Sequence, residues 1–347
     1  AAPLARIFNL IALKSEYPVV WKQSRVCPIF KSGDKGCVKN YRPIAILSNF
    51  AKLYESMLSN IIYSHVNNMI MPEQHGFVKG KSTATNLCEF TNFISQELDK
   101  GNEVDVIYTD LSKAFDKVHH CILLKKLRNF GLCDGLVSLV QSVITKRVQY
   151  VEYKGFVSGS FCAHSGVAQG SNLGPLLFIL FFNDVLDYIS SHAYLSAGDK
   201  KIVKVINSYD DCLELQQDLD NFLYWCKRNC LEVNKDKCRV LKFSRKKNHI
   251  YFYYNINGRV LIQVDQLSDL GIIIDNELTF VPQILQLINT TLKTLGFIFR
   301  IAREFDNLSC IRILFYALVR SKLEYCCIIW TPHHQIYIDA LELVNRK

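Results

Sequence analysis

The chain has 347 residues, of which 49% are hydrophobic and 21% are charged, and its formal net charge is +9. This composition excludes an intrinsically disordered protein, and the length suits two or three subdomains packed together. The positive charge favours a polyanionic partner such as nucleic acid, although many basic proteins have no such partner.

The cysteines and the apolar runs indicate the cellular setting. There are 13 cysteines, an odd number, and no two of them are spaced as Cys-x-x-Cys. Buried free thiols in a reducing compartment are therefore expected in preference to disulfides or zinc. The strongest apolar run, 173–182, is far shorter than a bilayer span, and no signal peptide is visible. We expect an intracellular, soluble protein. Because the chain starts without methionine and ends within a polar helical pattern, we also expect it to be a piece of a longer protein.

The first hundred residues read as a basic segment punctuated by prolines, followed by helices. Apolar residues at helical spacing over 53–62 follow Ser48 and Asn49, either of which can cap a helix. A second helix is predicted over 82–98.

From residue 104 the spacing of the apolar residues changes from that of a helix to a period of two. Apolar and polar residues alternate over 104–109, which predicts a strand that ends at Asp110. Helices are predicted around 123–127, 136–143, 173–188 and 211–231 and from 283 onward; strands are predicted over 148–161, 193–206, 240–243, 250–256 and 260–264. Tight turns are predicted at Gly198-Asp199 and Asn257-Gly258. Helices, then a mixed sheet, then a helical tail indicate an α+β protein.

Two aspartates occupy positions that suit phosphoryl transfer. This chemistry needs carboxylates that converge on two Mg²⁺ ions about 3.5–4 Å apart. Asp110 ends a predicted strand and Asp199 lies at a predicted hairpin tip, so the two would converge if their strands are neighbours. The alternative is that both are ordinary solvated residues at a strand end and a turn.

Two further features have open interpretations. The stretch 167–171 precedes a helix that starts at Gly174-Pro175, so its N–H groups could bind an anion or simply form a loop and cap. The basic residues near the start could face a triphosphate or water; they are Lys31, Lys35, Lys39 and Arg42.

Ordered motifs extend across nearly the whole chain. They are Trp21-Lys22, 28–34 (PIFKSGD), 40–44 (NYRPI), 74–77 (QHGF), 81–83 (KST), 108–118 (YTDLSKAFDKV), 165–178 (SGVAQGSNLGPLLF), Asn183-Asp184, Asn234, Lys237-Cys238, Leu270-Gly271, 322–325 (KLEY) and Trp330. In this order and spacing the chain resembles the reverse transcriptases of non-LTR retrotransposons, the LINE-type elements of the jockey-like group.

The resemblance implies a right-hand polymerase fold with fingers, a palm built from an antiparallel sheet plus helices, and a helical thumb. Fingers are expected over 1–103, palm over 104–280 with a fingers insertion at about 121–160, and a truncated thumb over 281–347. The implied activity is that of an RNA-directed DNA polymerase. Its partners are an RNA template, a DNA primer and deoxynucleoside triphosphates, with Mg²⁺ as cofactor and Mn²⁺ as a substitute. No membrane is involved, and a location in nucleus and cytoplasm is expected.

The resemblance also assigns roles at the metal site. Asp110 would be the first metal-binding carboxylate, with the backbone carbonyl of Leu111 beside it, and Asp199 would be the second catalytic carboxylate.

Other matching positions would bind the incoming nucleotide. Phe115 would lie under its sugar, where an aromatic ring blocks a 2′-hydroxyl; a core aromatic residue is the alternative. Lys31 and Arg42 would approach the triphosphate, since Arg binds phosphate oxygens at two points and Lys acts as a point charge. Gln169 and Gly170 would line the nucleotide pocket.

The chain departs from the family pattern at its catalytic turn. The family has an aromatic residue, Ala and two aspartates, whereas this chain has Ser196, Ala197, Gly198 and Asp199. Gly198 suits a hairpin tip but supplies no oxygen ligand, and Ala168 replaces the usual proline before Gln169. We therefore hypothesise a chain that folds as a reverse transcriptase but is catalytically impaired. The alternatives are a catalytically inactive nucleic-acid-binding remnant and a fragment without a role.

Overall fold

The computed structural model describes residues 2–246, 248–302 and 307–346. Its α-helices are α1 (Ala2–Lys14), α2 (Asn49–Val66), α3 (Thr83–Asp99), α4 (His120–Asn129), α5 (Asp134–Ile144), α6 (Gly174–Phe182), α7 (Tyr209–Arg228), α8 (Val281–Ala302), α9 (Leu308–Phe315), α10 (Ser321–Glu324), α11 (Cys327–Trp330) and α12 (Gln335–Arg346). Its strands are β1 (Gln23–Phe30), β2 (Tyr41–Ile46), β3 (Glu103–Thr109), β4 (Arg147–Tyr153), β5 (Phe156–Val157), β6 (Phe161–Ala163), β7 (His192–Ser196), β8 (Asp199–Ile206), β9 (Arg239–Phe243), β10 (Asn255–Ile256), β11 (Arg259–Val260), β12 (Ile262–Val264), β13 (Gln266–Asp269) and β14 (Ile272–Asp275). Within this described part of the chain, no helix combines the length and the apolar character needed to cross a membrane.

Local sequence explains where the helices begin. The hydroxyl of Ser48 accepts a hydrogen bond from the N–H of Ala51 (3.2 Å) and caps α2. Ser82 and Thr85 form a reciprocal capping box at the start of α3. At α6, the Ser171 hydroxyl accepts from the N–H of Gly174 (2.8 Å), and Pro175 occupies a first-turn position where its missing N–H is harmless. These helices confirm the sequence predictions.

The chain divides into two compact units. The first comprises Ala1–Lys79, Thr109–Lys200 and Gln217–Lys237, and the second comprises Gly80–Tyr108, Lys201–Gln216 and Cys238–Lys347. The predicted division into fingers, palm and thumb stays a prediction.

A sheet on strands β2, β1 and β4, in that order, dominates the first unit, and β5 and β6 both pair with β4. Strands β1 and β2 are antiparallel, whereas β1 and β4 are parallel. The sequence pattern indicates only a proline-punctuated segment here and does not predict β1 and β2. Pro28 and Pro43 are partners in the register, which confines the missing N–H donors to one position of the ladder.

Helix α6 lies at the core of the first unit. Its residues 176–182 are at most 4% exposed, and aromatic and aliphatic side chains cover the whole circumference. This confirms the predicted buried helix, although the α-helix ends at Phe182 and a 3-10 turn follows over Val185–Tyr188.

Strands β12, β9, β3 and β8 are neighbours in that order in the second unit. Strand β3 is buried on both faces, which explains why even Asp105 is fully enclosed. Of the strand predicted over 250–256, only Asn255–Ile256 is a strand. Tyr254, just before it, is buried, and its hydroxyl donates to Asp105 (2.7 Å). The turn at Asn257-Gly258 is confirmed, with positive φ of 51° and 78°.

The helical tail of the second unit has its own core. Leu295, Ile298, Val319 and Val344 are buried against one another. Helix α8 confirms the helical pattern predicted from residue 283 onward. Part of that predicted stretch, residues 303–306 and 347, lies outside the described residues.

The burial of α2 and of the cysteines is only partial. Of the apolar residues whose spacing predicts α2, Leu58 and Ile62 are at most 3% exposed, whereas Leu53, Met57 and Ile61 are 46–59% exposed, because the helix packs through the side that carries Tyr54. All the cysteines are free thiols, as predicted, but most are not buried. The buried ones are Cys212, Cys226, Cys238 and Cys326.

Candidate active site

The two candidate catalytic aspartates lie on neighbouring strand ends in the first unit. Asp110 directly follows β3, and Asp199 is the first residue of β8. Thr109, next to Asp110, and Lys200, next to Asp199, are hydrogen-bonded to each other: the Thr109 hydroxyl donates to the carbonyl of Lys200 (3.3 Å). The condition set by the sequence, that the two strands be neighbours, is therefore met.

The segment 232–237 holds Asp110 in place. The N–H of Asn234 donates to the Asp110 carbonyl (2.8 Å), and the N–H of Ser112 donates to the Glu232 carbonyl (2.8 Å). The ammonium of Lys237 lies 2.7 Å from Oδ2 of Asp110, whose side chain is 26% exposed. Asn234 and Lys237 appeared in the sequence only as matching family positions, and the sequence assigned them no contact with Asp110.

The hairpin before Asp199 has a two-residue loop formed by Ala197 and Gly198. The prediction that Gly198-Asp199 forms this loop with positive φ is wrong by one residue. The positive φ falls on Ala197 (57°), the first central position, where tight hairpins of one type require it.

A buried glutamine stabilises this unusual alanine. Gln74 is 0% exposed, and its Oε1 accepts from the N–H of Ala197 (2.9 Å) while its Nε2 donates to the Ala197 carbonyl (3.3 Å). The same Oε1 accepts from the N–H of Gly76 (2.8 Å). A Cβ on Gly76 would lie 2.1 Å from the Ala197 nitrogen, so only glycine fits. Sequence reasoning missed this clamp, because Gln74 lies 123 residues before Ala197.

Gly198 has room for a side chain. A Cβ there would lie 3.6 Å from both Ala114 Cβ and Phe178 Cζ, which is ordinary van der Waals contact. Its φ lies outside the left-handed region that favours glycine. The backbone therefore accepts an aspartate at this position without strain.

Phe115 is held by other aromatic rings. It stacks on the buried Phe178 with ring centroids 4.5 Å apart and an interplanar angle of 13°, and Phe77 meets it edge-on at 5.9 Å. Phe115 itself is half-buried. One face of the ring thus packs against the core while the ring stays partly accessible, and its predicted place under the nucleotide sugar stays a prediction.

The loop that carries Gln169 and Gly170 is fastened to β2. The Gln169 carbonyl accepts from the N–H of Ala45 (2.7 Å), and Gly170 has φ of 103° with the Ala45 carbonyl 2.7 Å from its notional Cβ. Gln169 Nε2 donates to Oδ1 of Asp116 (3.3 Å). Burial raises the pKa of Asp116, and this hydrogen bond and Lys113 oppose that rise.

Lys31 and Arg42 lie together on the β1–β2 hairpin. Arg42 is the register partner of Ile29, and Lys31 directly follows β1 with its N–H bonded to the Asn40 carbonyl (2.9 Å). Both side chains are exposed, and within the described residues neither forms an ion pair with Asp110 or Asp199.

The acidic residues suit one Mg²⁺ better than two. Mg²⁺ prefers one or two protein carboxylates completed by phosphate oxygens and water, which Asp110 and Asp199 can provide. Two close cations need shared carboxylates, and Gly198 supplies none. In the part of the chain that the structure describes, no three or more His, Cys, Asp or Glu side chains gather as a metal-binding group.

Comparison with known proteins supplies a family for this geometry. The family model described as "Reverse transcriptase (RNA-dependent DNA polymerase)" matches residues 29–299. A probable RNA-directed DNA polymerase from transposon BS of Drosophila melanogaster is 30% identical over 81% of this chain and 32% of its own length. The RNA-directed DNA polymerase from mobile element jockey of the same species is 27% identical over 80% of this chain and 31% of its own. The chain thus spans about a third of the length of these relatives.

Solved structures share the fold. Apo telomerase from Candida tropicalis, truncated from its C-terminal domain, has a TM-score of 0.54 and 13% identity, covering 77% of this chain and 57% of that one. Telomerase of the same species in complex with a TWJ fragment of telomeric RNA has a TM-score of 0.53 and 12% identity, covering 99% and 60%. At such low identity the likeness establishes the fold alone, and it confirms the predicted right-hand polymerase fold.

Proposed function

Because the chain belongs to the reverse transcriptase (RNA-dependent DNA polymerase) family, among the enzymes of non-LTR retrotransposons, we propose that it is the polymerase domain of such an element. In this proposal it extends a DNA primer on an RNA template with deoxynucleoside triphosphates. Fingers would comprise 1–103 and about 121–160, palm the rest up to 280, and thumb 281–347. The observation that carries the proposal is the pair of aspartates, Asp110 and Asp199, on neighbouring strand ends beside the stacked Phe115.

Asp110, Asp199 and the backbone carbonyl of Leu111 would hold the divalent cation, Mg²⁺ or Mn²⁺. When bound, such an ion neutralises charge on phosphate oxygens and lowers the pKa of an attacking hydroxyl. Leu111 is suited to this task because its neighbours are fixed to the segment around Val233 by backbone hydrogen bonds.

Other residues would select and position the nucleotide. Phe115 cannot move away from a 2′-hydroxyl, because Phe178 supports its ring from behind at 4.5 Å. Gln169 and Gly170 would form the wall of the nucleotide pocket, held by their contacts with Ala45. Lys31 and Arg42, both exposed, would bind the triphosphate.

This copy would be strongly impaired by Gly198. A missing metal ligand removes several kcal/mol of transition-state stabilisation, which is on the order of a thousandfold in rate. The loss is chemical rather than architectural, since the hairpin keeps its geometry without the aspartate.

A second function is favoured by a specific observation. Lys237 neutralises Asp110 at 2.7 Å, in a site that already lacks one carboxylate. An inactive nucleic-acid-binding domain would retain its basic surfaces and would bind RNA in a salt-dependent manner without incorporating nucleotides.

Primer extension on an RNA template with Mg²⁺ or Mn²⁺ tests the proposal. The chain is compared with Gly198→Asp and with Gly198→Asn, which matches aspartate in size but lacks its charge. We expect only Gly198→Asp to extend the primer efficiently. An inactive Gly198→Asp variant that still binds RNA would favour the binding function, and equal extension by the unchanged chain would refute the role assigned to Gly198.

A further inference from the structure

Three aromatic rings form a continuous series on the β2–β1–β4 sheet of the first unit. Phe30 and Tyr41 have ring centroids 5.5 Å apart, and Tyr41 and Tyr153 are 5.9 Å apart with their hydroxyls at 3.5 Å. Phe30 is 38% exposed and Tyr153 is 42% exposed. We name these three residues the aromatic ladder. Their contacts do not bury them, so the ladder presents ring surface to a partner.

The ladder lies on a defined face of the sheet. Phe30 and Tyr41 are register partners, so their side chains point to the same side, whereas the partners Ile29 and Arg42 point to the other. Tyr153 shares the ladder face, since it contacts Tyr41. Side chains alternate between the two faces along β1, so Lys31, two residues after Ile29, lies on the same face as Ile29 and Arg42. The proposed triphosphate-binding cations and the ladder are therefore on opposite faces.

Lysine side chains flank both ends of the ladder. The ammonium of Lys35 lies 5.8 Å from the Phe30 ring centroid, and that of Lys154 lies 5.5 Å from the Tyr153 centroid. Glu152 pairs with Arg25 (2.9 Å), whereas the Asp34 carboxylate, among the described residues, accepts only from the N–H of Gly36 (2.9 Å) and keeps its charge. The two lysines therefore outweigh this carboxylate, and the charge beside the rings is positive on balance.

The same face continues into a cleft of about 310 Å³ between the sheet and the loop 163–169. Val26, Ala45 and Val151 form its floor, and by the register they share the face of Phe30, Tyr41 and Tyr153. Phe161 and Gln169 also line the cleft. An extended ligand that lies on the ladder can therefore reach Gln169, the residue proposed to line the nucleotide pocket.

We propose that the ladder and this cleft form a track for single-stranded nucleic acid, on which unpaired bases of the template stack before they reach Gln169. Exposed rings with adjacent cations match this ligand, because each base offers a π-face and each phosphate a negative charge. A duplex fits poorly, since its base faces are covered by their neighbours. The inference deepens the proposed polymerase function and rests on it for the identity of the strand.

The test measures binding of a labelled oligouridylate of about 12 nucleotides, a length within usual single-strand site sizes, by fluorescence anisotropy. The same sequence in a blunt duplex is measured in parallel. Tyr153→Ala and Phe30→Leu each remove one ring, and each is expected to weaken single-strand binding roughly tenfold. Tyr41→Phe keeps the ring and is expected to bind within about twofold of the unchanged chain.

Tyr224→Ala is the matched control. Tyr224 is 55% exposed and has the Arg228 guanidinium 5.8 Å from its ring, so it resembles Tyr153 in exposure and in its cation. Its loss is expected to leave binding unchanged. A double variant, Lys35→Ala with Lys154→Ala, keeps the three rings and removes the two ammonium groups beside them. Its binding is expected to depend less on salt concentration than that of the unchanged chain.

Two outcomes would overturn the track. One is unchanged single-strand affinity in Tyr153→Ala and Phe30→Leu, which would assign the rings to another partner. The other is an equal loss for the duplex, which would indicate general charge attraction or misfolding. These binding measurements are independent of the primer-extension assay. If the Gly198→Asp variant proves inactive, the polymerase proposal fails, but the effect of the ring substitutions on single-strand binding can still be read.

Discussion

The ammonium of Lys237 and a carboxylate oxygen of Asp110 lie 2.7 Å apart, although 127 residues separate them in the chain. The pair ties the segment after α7 to the end of β3. It also places a positive charge where the proposed cation would bind, so the lysine and the metal compete for one carboxylate.

Replacing Lys237 should therefore strengthen metal binding. In the Gly198→Asp background, Lys237→Gln is expected to raise the affinity for Mn²⁺ by up to about fivefold, the range for a partly exposed ion pair. Mn²⁺ titration followed by electron paramagnetic resonance measures this. Lys235→Gln, which removes an exposed lysine two residues away, should leave the affinity unchanged. Weaker Mn²⁺ binding in Lys237→Gln would mean that the lysine orients Asp110 rather than competing for it.

Gly76→Ala tests the clamp on the catalytic turn. The new Cβ would lie 2.1 Å from the backbone nitrogen of Ala197, so the turn must move. We expect the free energy of unfolding to fall by about 1–3 kcal/mol, the usual cost of overpacking, as measured by urea denaturation. Gly159→Ala adds a methyl group where no atom lies within 4 Å and should be nearly neutral. Equal stability of the two variants would show that the turn adapts freely.

Phe115→Val tests the proposed exclusion of ribonucleotides. In the Gly198→Asp background, a smaller side chain opens space beside the sugar. Discrimination against a ribonucleoside triphosphate is expected to fall on the order of tenfold to a hundredfold, measured as the ratio of kcat/KM values. Phe115→Tyr retains the ring stacked on Phe178 and should retain discrimination. Unchanged selectivity in Phe115→Val would restrict Phe115 to a packing role.

Glu55 should make stability depend on pH. It is 2% exposed, and its carboxylate accepts from the N–H groups of Asn172 (3.1 Å) and Leu173 (3.5 Å). Burial raises the pKa of Glu55 above its ordinary 4.5, against the opposing effect of Arg147. The folded state therefore holds this proton to higher pH than the unfolded chain does. The stability linked to the proton is complete below 4.5 and is lost as pH rises through the higher folded pKa.

Glu55→Gln removes this titration. Relative to the variant, the unchanged chain is expected to lose stability as pH rises from about 4.5 toward neutrality, measured by urea denaturation across that range. Glu16→Gln, at an exposed carboxylate, is the control and should run parallel to the unchanged chain. A difference between the chain and Glu55→Gln that is constant with pH would contradict the assignment.

Local patterns predicted much of the fold. Helical spacing and cap residues located α2 and α3, and alternation located β3 up to its end before Asp110. These features depend on residues a few positions apart, so they can be read from the chain directly. Strands β1 and β2 were missed because their prolines resemble breaks, and only pairing with each other and with β4 makes them strands.

The sequence by itself determined the candidates for chemistry: its motifs single out Asp110, Asp199 and Phe115, and they show that glycine stands at position 198 where the family pattern has an aspartate. Only the tertiary structure decided how these residues are held. The Gln74 clamp on Ala197, the Lys237 contact with Asp110 and the ring series from Phe30 to Tyr153 each join segments more than 100 residues apart. Such contacts leave no local periodicity, because they arise from the packing of distant segments.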